Sequence, residues 1–394
     1  MTTDLSLVHS RTVATTTPSG VTPSSPAGLD SAAHSASFSE VSRRFGGERE
    51  VVDFCIPCNP YFPTTEMFDT LSANLPTLLK YYPSDSRDIT KRLAKTLGLH
   101  PQTVTMANGS TELLTWIDHL FVHESLAIPV PTFGRWTDQP LETGKRVDMY
   151  RLREENGFAL DVEDYVRFIR ERGSRVAVIC NANNPDGGYV PRDRVLWMLD
   201  ELRDLDLVVV DESFIDFVDA EEDASVADEA PLRSNVVVLK SLGKNFGLHG
   251  IRFGYMVANP ALTERVARAL PRWNLNALAE AVVDMLGSHT EEYERSLRLV
   301  ADDRNHMIAA LTAVPGLTVF PSTANFVFVR LPRGWDGAAL RDHLVTQHGV
   351  YIRECGNKLG ITSDYVRLVV RPAGDVERLV AGLLDHARIQ RRPA

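Results

Sequence analysis

The feature that most constrains this chain is a series of short, apolar, β-branched runs separated by stretches with helical spacing. Val176–Cys180 reads VAVIC, Leu207–Val210 reads LVVV, and Val236–Leu239 reads VVVL. None of them alternates apolar with polar residues. A strand with one wet face would do so, whereas a strand covered on both faces is apolar throughout, as in parallel sheets. Phe253–Val257 continues the series. Asp88–Leu97 and Thr111–Phe121 have amphipathic helical spacing, and Arg192–Leu205 reads as a helix opened by Pro191. Strands alternating with helices predict an α/β fold around a mostly parallel sheet.

A long helical stretch runs from Trp273 to about Leu311, and the texture changes after Pro315. Asn325–Leu331, Val350–Arg353 and Tyr365–Val370 read as strands, with helices at Ala338–Gln347 and Asp375–Ile389. This predicts a second, smaller α+β domain. The expected organisation is a disordered or arm-like tail over 1–45, rich in Ser, Thr, Ala and Pro, and an N-terminal part of the small domain over 46–75. A large domain over 76–312 and the rest of the small domain over 313–394 complete it. A length of 394 residues suits such a division.

Composition narrows the function. Hydrophobic residues make up 44% and charged residues 24%, with a formal net charge of −10. An acidic chain is a poor match for nucleic acid or an anionic membrane. No apolar run approaches the roughly 20 residues that span a bilayer, and no signal-peptide pattern opens the chain, so a cytoplasmic protein is expected. The four cysteines are too few for a disulfide scaffold. Cys55 and Cys58 form a CxxC without a second ligand pair, crowded by Pro57 and Pro60. They are expected to be packing residues, and no metal site is expected.

The chemistry gathers at the predicted strand ends, where ligands of open α/β sheets bind. CNANNPDGG places Asn181, Asn183 and Asn184 in a turn, VVVDESF ends on Asp211 and Glu212, and VVVLKSLGK delivers Lys240, Ser241 and Lys244. NGSTE sets Gly109, Ser110 and Thr111 before a helix, whose free N–H groups favour a phosphate. Each element has a plain structural reading, as turn chemistry, helix cap or solvated lysine. Together they suit pyridoxal 5′-phosphate. That cofactor needs an amine for its aldehyde, a carboxylate against its pyridine nitrogen, an amide for its phenolic oxygen and donors for its phosphate.

With these motifs in order, the chain resembles the fold-type I enzymes of the aspartate aminotransferase superfamily, nearest the histidinol-phosphate aminotransferase and threonine-phosphate decarboxylase branch. The matching segments are NPY at 59–61, YP at 82–83, GSTE at 109–112, PTF at 131–133, NNPDGG, DESFIDF, SLGKNFGLHGIRFGY, and YVRLVVRP at 365–372. The resemblance implies that Lys244 forms the Schiff base and Asp211 pairs with the ring nitrogen. Asn184 would bond the phenolic oxygen, and Phe133 would stack on the ring. Gly109, Ser110, Thr111, Ser241 and Arg252 would hold the phosphate. Tyr61 would reach the partner's site in a homodimer, and Arg367 would clamp the substrate carboxylate.

Two departures bear on the reaction. Phe214 stands where aminotransferases of this group carry a tyrosine, and YIRECGN at 351–357 resembles the decarboxylase branch, with Arg353 as a second anion clamp or a plain strand-end arginine. His249 is either a proton-transfer aid or a loop histidine packed beside the cofactor. Amino transfer on an amino acid, one with a second anionic group included, is the expected reaction. Decarboxylation of a phosphorylated amino acid and amino-acid oxidation are the alternatives. SxxK at 241–244 lacks the SDN and KTG partners of penicillin-recognising enzymes. A non-catalytic cofactor-binding regulator would need a DNA-binding module, for which the first 45 residues are too short.

Overall fold

The computed structural model describes residues 36–45 and 50–390. Twelve strands fall into two sheets. The large sheet holds β2 (Val104–Ala107), β3 (Ser125–Val130), β4 (Arg146–Arg151), β5 (Val176–Cys180), β6 (Leu207–Asp211), β7 (Val236–Lys240) and β8 (Gly254–Ala258). Its order is β2-β8-β7-β6-β5-β3-β4, with β8 antiparallel to both neighbours and the other contacts parallel.

The unbroken apolar runs now have a cause. Successive side chains of a strand point to opposite faces. Ala177, Ile179, Val208, Val210, Val236 and Val238 pack into one core, and Val176, Val178, Leu207, Val209, Val237 and Leu239 into the core on the other face. Full burial of each such side chain contributes about 1.5–3 kcal/mol. Helices cover both faces. The expected helices over 88–97 and 111–121 are Ser86–Thr96 and Ser110–Phe121, and the long stretch after Trp273 divides into Ala277–Leu286 and Thr290–Thr312.

The small sheet has the order β1-β11-β12-β10-β9, built from β1 (Val52–Phe54), β9 (Thr318–Val319), β10 (Phe326–Arg330), β11 (Val350–Glu354) and β12 (Tyr365–Val369). β1 pairs parallel with β11, so the segment before the large sheet closes the edge of the C-terminal one. The tail expectation needs a correction at its end. Phe38–Phe45 is a helix whose Val41 is buried against Val51, Cys55, Val345 and Tyr351. Residues 1–35 of that tail lie outside the described residues.

One antiparallel strand arranges the site. Because β8 runs against β7 and β2, it begins where those two end, with Lys240 opposite Tyr255 and Ala107 opposite Gly254. A Cβ on Gly254 would stand 2.7 Å from the Ser110 nitrogen and 2.8 Å from the Lys240 oxygen, so this approach requires glycine.

Below the end of β7 lies a buried charge network. Lys240 Nζ is 2.9 Å from Glu212 Oε2 and 3.3 Å from Asp216 Oδ1. Asp216 Oδ2 accepts from Tyr293 and Asn245 at 2.8 Å each, and Glu212 Oε1 accepts from the Val226 N–H at 2.7 Å. Burial works against the Lys240 charge, but the two carboxylates more than offset it and hold its pKa above the ordinary lysine value. The expected outcome for Lys240→Met, which strands Glu212 uncompensated, is a loss of about 3–5 kcal/mol of stability. It is read as a lower urea midpoint at unchanged slope.

Candidate active site

The strand ends and the small sheet enclose a cavity of about 430 Å³. Ser110, Thr111, Phe133, Asn184, Ser241, Lys244 and Arg252 line it from the large domain, and Arg353 and Arg367 from the small one. Ala36 and Ser37 border it from the N-terminal arm. Gly109 caps the helix at φ 82°, and a Cβ there would stand 2.7 Å from Nη2 of Arg252. Glycine therefore admits a guanidinium directly beside the first turn of Ser110–Phe121. Arg252 itself holds a left-handed φ of 58° to reach this place, a conformation that non-glycine residues seldom adopt. Helix N–H groups, two hydroxyl residues and an adjacent guanidinium make a fitting cradle for a phosphate.

Lys244 sits between two aromatic rings, its Nζ 5.4 Å from the centroid of Phe133 and 4.4 Å from that of Phe214. Taking this amine out of water pulls its pKa below the ordinary lysine value. Asp211 opposes the shift, while Arg367 and Arg252 reinforce it. A neutral amine is the nucleophilic form. Asp211, buried at the end of β6, accepts from Trp136 Nε1 at 2.8 Å and from the Ser213 hydroxyl and N–H at 2.6 and 3.1 Å. Three donors fix the orientation of this carboxylate.

Asn184 Oδ1 accepts from Arg367 Nη1 at 2.8 Å, which turns the amide nitrogen to the other side. Arg367 also donates from Nη2 to the Cys55 carbonyl at 2.5 Å, while its Nε is buried and without a partner. His249 resembles it in this respect. Its Nδ1 lies 3.0 Å from Cys58 Sγ, and its Nε2 is buried and unpartnered. Burial, then the charges of Lys244, Arg252 and Arg367, depress the His249 pKa to about 3, so the ring is neutral. Burial pushes the Cys58 thiol up to about 12, in keeping with the expectation of an inert CxxC. These unpartnered polar atoms, together with the phosphate cradle, suit a bound polar aromatic group such as pyridoxal phosphate.

Tyr61 lies elsewhere. It packs beside the small-domain core, and its hydroxyl donates to Asp303 of the same chain. The sequence reading also missed residues that the fold brings in. Lys358 lines the cavity and donates from Nζ to the Thr132 carbonyl at 2.7 Å. Burial, with Arg367 and Arg353 acting in the same sense, pulls its pKa down to about 7. Trp136 holds Asp211, and its only sequence signal is its place three residues past Phe133. The lining contains six cationic residues, Arg135, Lys244, Arg252, Arg353, Lys358 and Arg367, against one acid, Asp138. Such a cavity favours ligands with several negative charges.

Known proteins resemble this chain. The chain is 26% identical to the L-serine phosphate decarboxylase of Campylobacter jejuni, over 90% of this chain and 93% of that one. It is 32% identical to the CMP-5′-(3-aminopropyl)phosphonate synthase of Streptomyces rubellomurinus over 85% of this chain, and spans only 53% of that protein. The structure of a decarboxylase from Sulfurospirillum multivorans superimposes with a TM-score of 0.81 at 25% identity, covering 90% of this chain and 92% of the other. Residues 49–383 match the family model for aminotransferase class I and II. The chain belongs to that family, the fold-type I proteins whose cofactor is pyridoxal 5′-phosphate.

Proposed function

We propose that this protein is a decarboxylase of an amino acid carrying a phosphate or similar second anionic group. Amino transfer, the first expectation from the sequence, becomes the second reading. The observation that carries the proposal is the wall of three cationic residues, Arg353, Lys358 and Arg367, facing the Lys244 amine across one cavity. One of them suffices for an α-carboxylate. The other two suit a second anion on the same substrate. The decarboxylases among the relatives act on phosphorylated amino acids by name, which supports the same choice.

On this reading Asp211 would pair with the pyridine nitrogen, and the Asn184 amide nitrogen would bond the phenolic oxygen. Phe133 would stack on the ring, and Ser110, Thr111, Ser241 and Arg252 would hold the cofactor phosphate with the N–H groups beyond Gly109. The cofactor supplies an electron sink for one bond at the substrate's α-carbon. The chain selects the bond. The anion clamps would do so by fixing the orientation of the substrate. Arg353 and Lys358 would hold the distal anion, and Arg367 would hold the carboxylate apart from it. Lys244 Nζ, 4.4 Å from the centroid of the hydroxyl-free Phe214, is placed to deliver the proton that replaces the lost carboxylate. In balance, amino acid and one proton give a primary amine and carbon dioxide.

A homodimer fits the surface. Helix Thr65–Lys80 buries only Met67, and Phe68, Leu75, Leu79, Tyr81, Tyr82 and Trp273 are exposed large apolar residues. Tyr82 stacks on Trp273 at 4.9 Å between centroids. Exposed apolar surface of this extent marks an interface. On this reading the partner subunit would complete the cavity, with Tyr61 reaching the partner's site. All four cysteines are free, as suits a reducing compartment.

Three measurements test these statements. O-phospho-L-serine and O-phospho-L-threonine should yield carbon dioxide and the matching amine in equal amounts. Lys244→Ala should lower the rate about 10²–10⁴-fold or more. Keto acid without carbon dioxide would return the chain to amino transfer. Lys358→Met should raise KM about 10–100-fold with a smaller effect on kcat, the range for a lost charge-assisted bond. Lys358 carries its proton below about pH 7 and loses it above. Wild-type KM should therefore climb between pH 6 and 8 more steeply than that of the variant, the substrate's own ionisation being common to both. Sedimentation should give a dimer, and Leu79→Glu should shift it toward monomer.

A further inference from the structure

We propose that the small domain carries a divalent-metal site, built by His343, His348 and Asp385 and suited to Zn²⁺. None of these residues lines the cavity described above. Their ligand atoms all lie within 4.8 Å of one another. Asp385 Oδ2 is 3.4 Å from His343 Nε2 and 3.2 Å from His348 Nε2. Ligand bonds of about 2.0–2.2 Å in a tetrahedral zinc site place neighbouring ligand atoms roughly 3.3–3.6 Å apart. Both spacings lie close to that range.

The backbone is shaped to produce this cluster. His343 ends the helix Gly337–His343, and Leu344–His348 follows as one π-type turn. Five residues along an ordinary α-helix the direction has swung about 140° away, from 3.6 residues per turn. A π-type turn closes through i→i+5 bonds, so residues five apart share a face, and such turns recur at functional sites. Gly349, at φ 60°, ends it. Across from it runs the helix Ala373–Gln390. A Cβ on Gly382 would stand 2.5 Å from Leu344 Cδ2 and 3.1 Å from His348 Cγ, so glycine lets the two segments touch. Asp385 lies three residues further, on the same face.

His343 supplies a second, independent observation. Its Nε2 is buried and has no hydrogen-bond partner among the described residues, although the Asp385 oxygen is 3.4 Å away. An imidazole nitrogen near a carboxylate oxygen, without hydrogen-bond geometry, is how two ligands of one cation face each other. Asp385 is 43% exposed and His348 22%, which leaves the fourth position open to water. Two imidazoles and a carboxylate make a borderline donor set, which suits Zn²⁺ over Mg²⁺ or Ca²⁺. The ion would tie the π-type turn to the last helix. That turn leads directly into β11, which carries Arg353.

The test uses the untagged full-length holoprotein, treated with EDTA and desalted, then titrated with Zn²⁺ against a chromophoric chelator. One equivalent per chain should bind and raise Tm by a few degrees. His348→Gln and Asp385→Asn should each lose both effects while keeping the metal-free Tm of the wild type. Cobalt offers a measurement without variants. Its difference spectrum should show visible tetrahedral bands and no thiolate charge-transfer band. Absence of saturable binding by the wild type, an equivalent that survives in both variants, or a thiolate band pointing to Cys58 would each overturn the site.

Discussion

The approach of β8 to its two neighbours is the constraint on which the site depends. Gly254 lies 2.7–2.8 Å, by the position its Cβ would take, from the Ser110 nitrogen and the Lys240 oxygen. A side chain there would push the start of β8 away from both. Arg252 would then withdraw from the helix end at Gly109, and the turn carrying Lys244 would lose its neighbour. An antiparallel strand inside a parallel sheet places a strand beginning among strand ends. A residue before β8 thereby joins residues after β2 and β7, although 143 positions separate Arg252 from Gly109.

The electrostatic arrangement is layered. Lys240 is paired with Glu212 and Asp216, and Tyr293, Asn245 and the Val226 N–H bond the remaining carboxylate oxygens, so the support supplies its own partners. In the cavity itself cations outnumber acids six to one. Burying unmatched like charges is unfavourable. Part of the cost is met internally, by Asn184 and the Cys55 carbonyl on Arg367 and by the Thr132 carbonyl on Lys358. The remainder appears as the lowered pKa values of Lys244 and Lys358. An anionic ligand relieves that strain, which makes the empty charge balance a source of affinity for phosphate groups.

Much of this was legible in the sequence, for physical reasons. Strands covered on both faces must be apolar throughout, and β5, β6 and β7 were read within a residue of their bounds. The strand-end motifs brought forward an amine, an acid and an amide, a set that few ligands need together, and the family resemblance chose Lys244 and Asn184 among the lysines and asparagines there. β3 and β4 were not read, since SLAIPV contains Pro129 and RVDMYR carries three charges. β4 is an edge strand, where the requirement for apolar residues lapses. Lys358 stood in an unremarkable loop, and only the packing of β11, β12 and the cavity wall turns it inward. His343 and His348 were equally silent. A spacing of five matches no regular helix, and becomes a shared face only through a local π-type turn.

The pairing of β11 with β12 sets two cations of the cavity in one register. Arg353 and Arg367 occupy directly opposite positions on antiparallel strands. Opposite residues of such a pair have Cβ atoms about 4.5–5.5 Å apart, and like charges there repel. A sheet built for stability alone would avoid two guanidinium groups in this register. A ligand with two negative groups at a similar spacing, as an α-carboxylate and a phosphate on a short side chain are, would offset that repulsion. One arginine holds the carboxylate wherever it falls. For the proposed substrate, a second fixed point would restrict rotation about its α-carbon. On the proposed reading, the choice between losing a proton and losing carbon dioxide would rest on the register of β11 and β12, with the amine at position 244 serving either outcome.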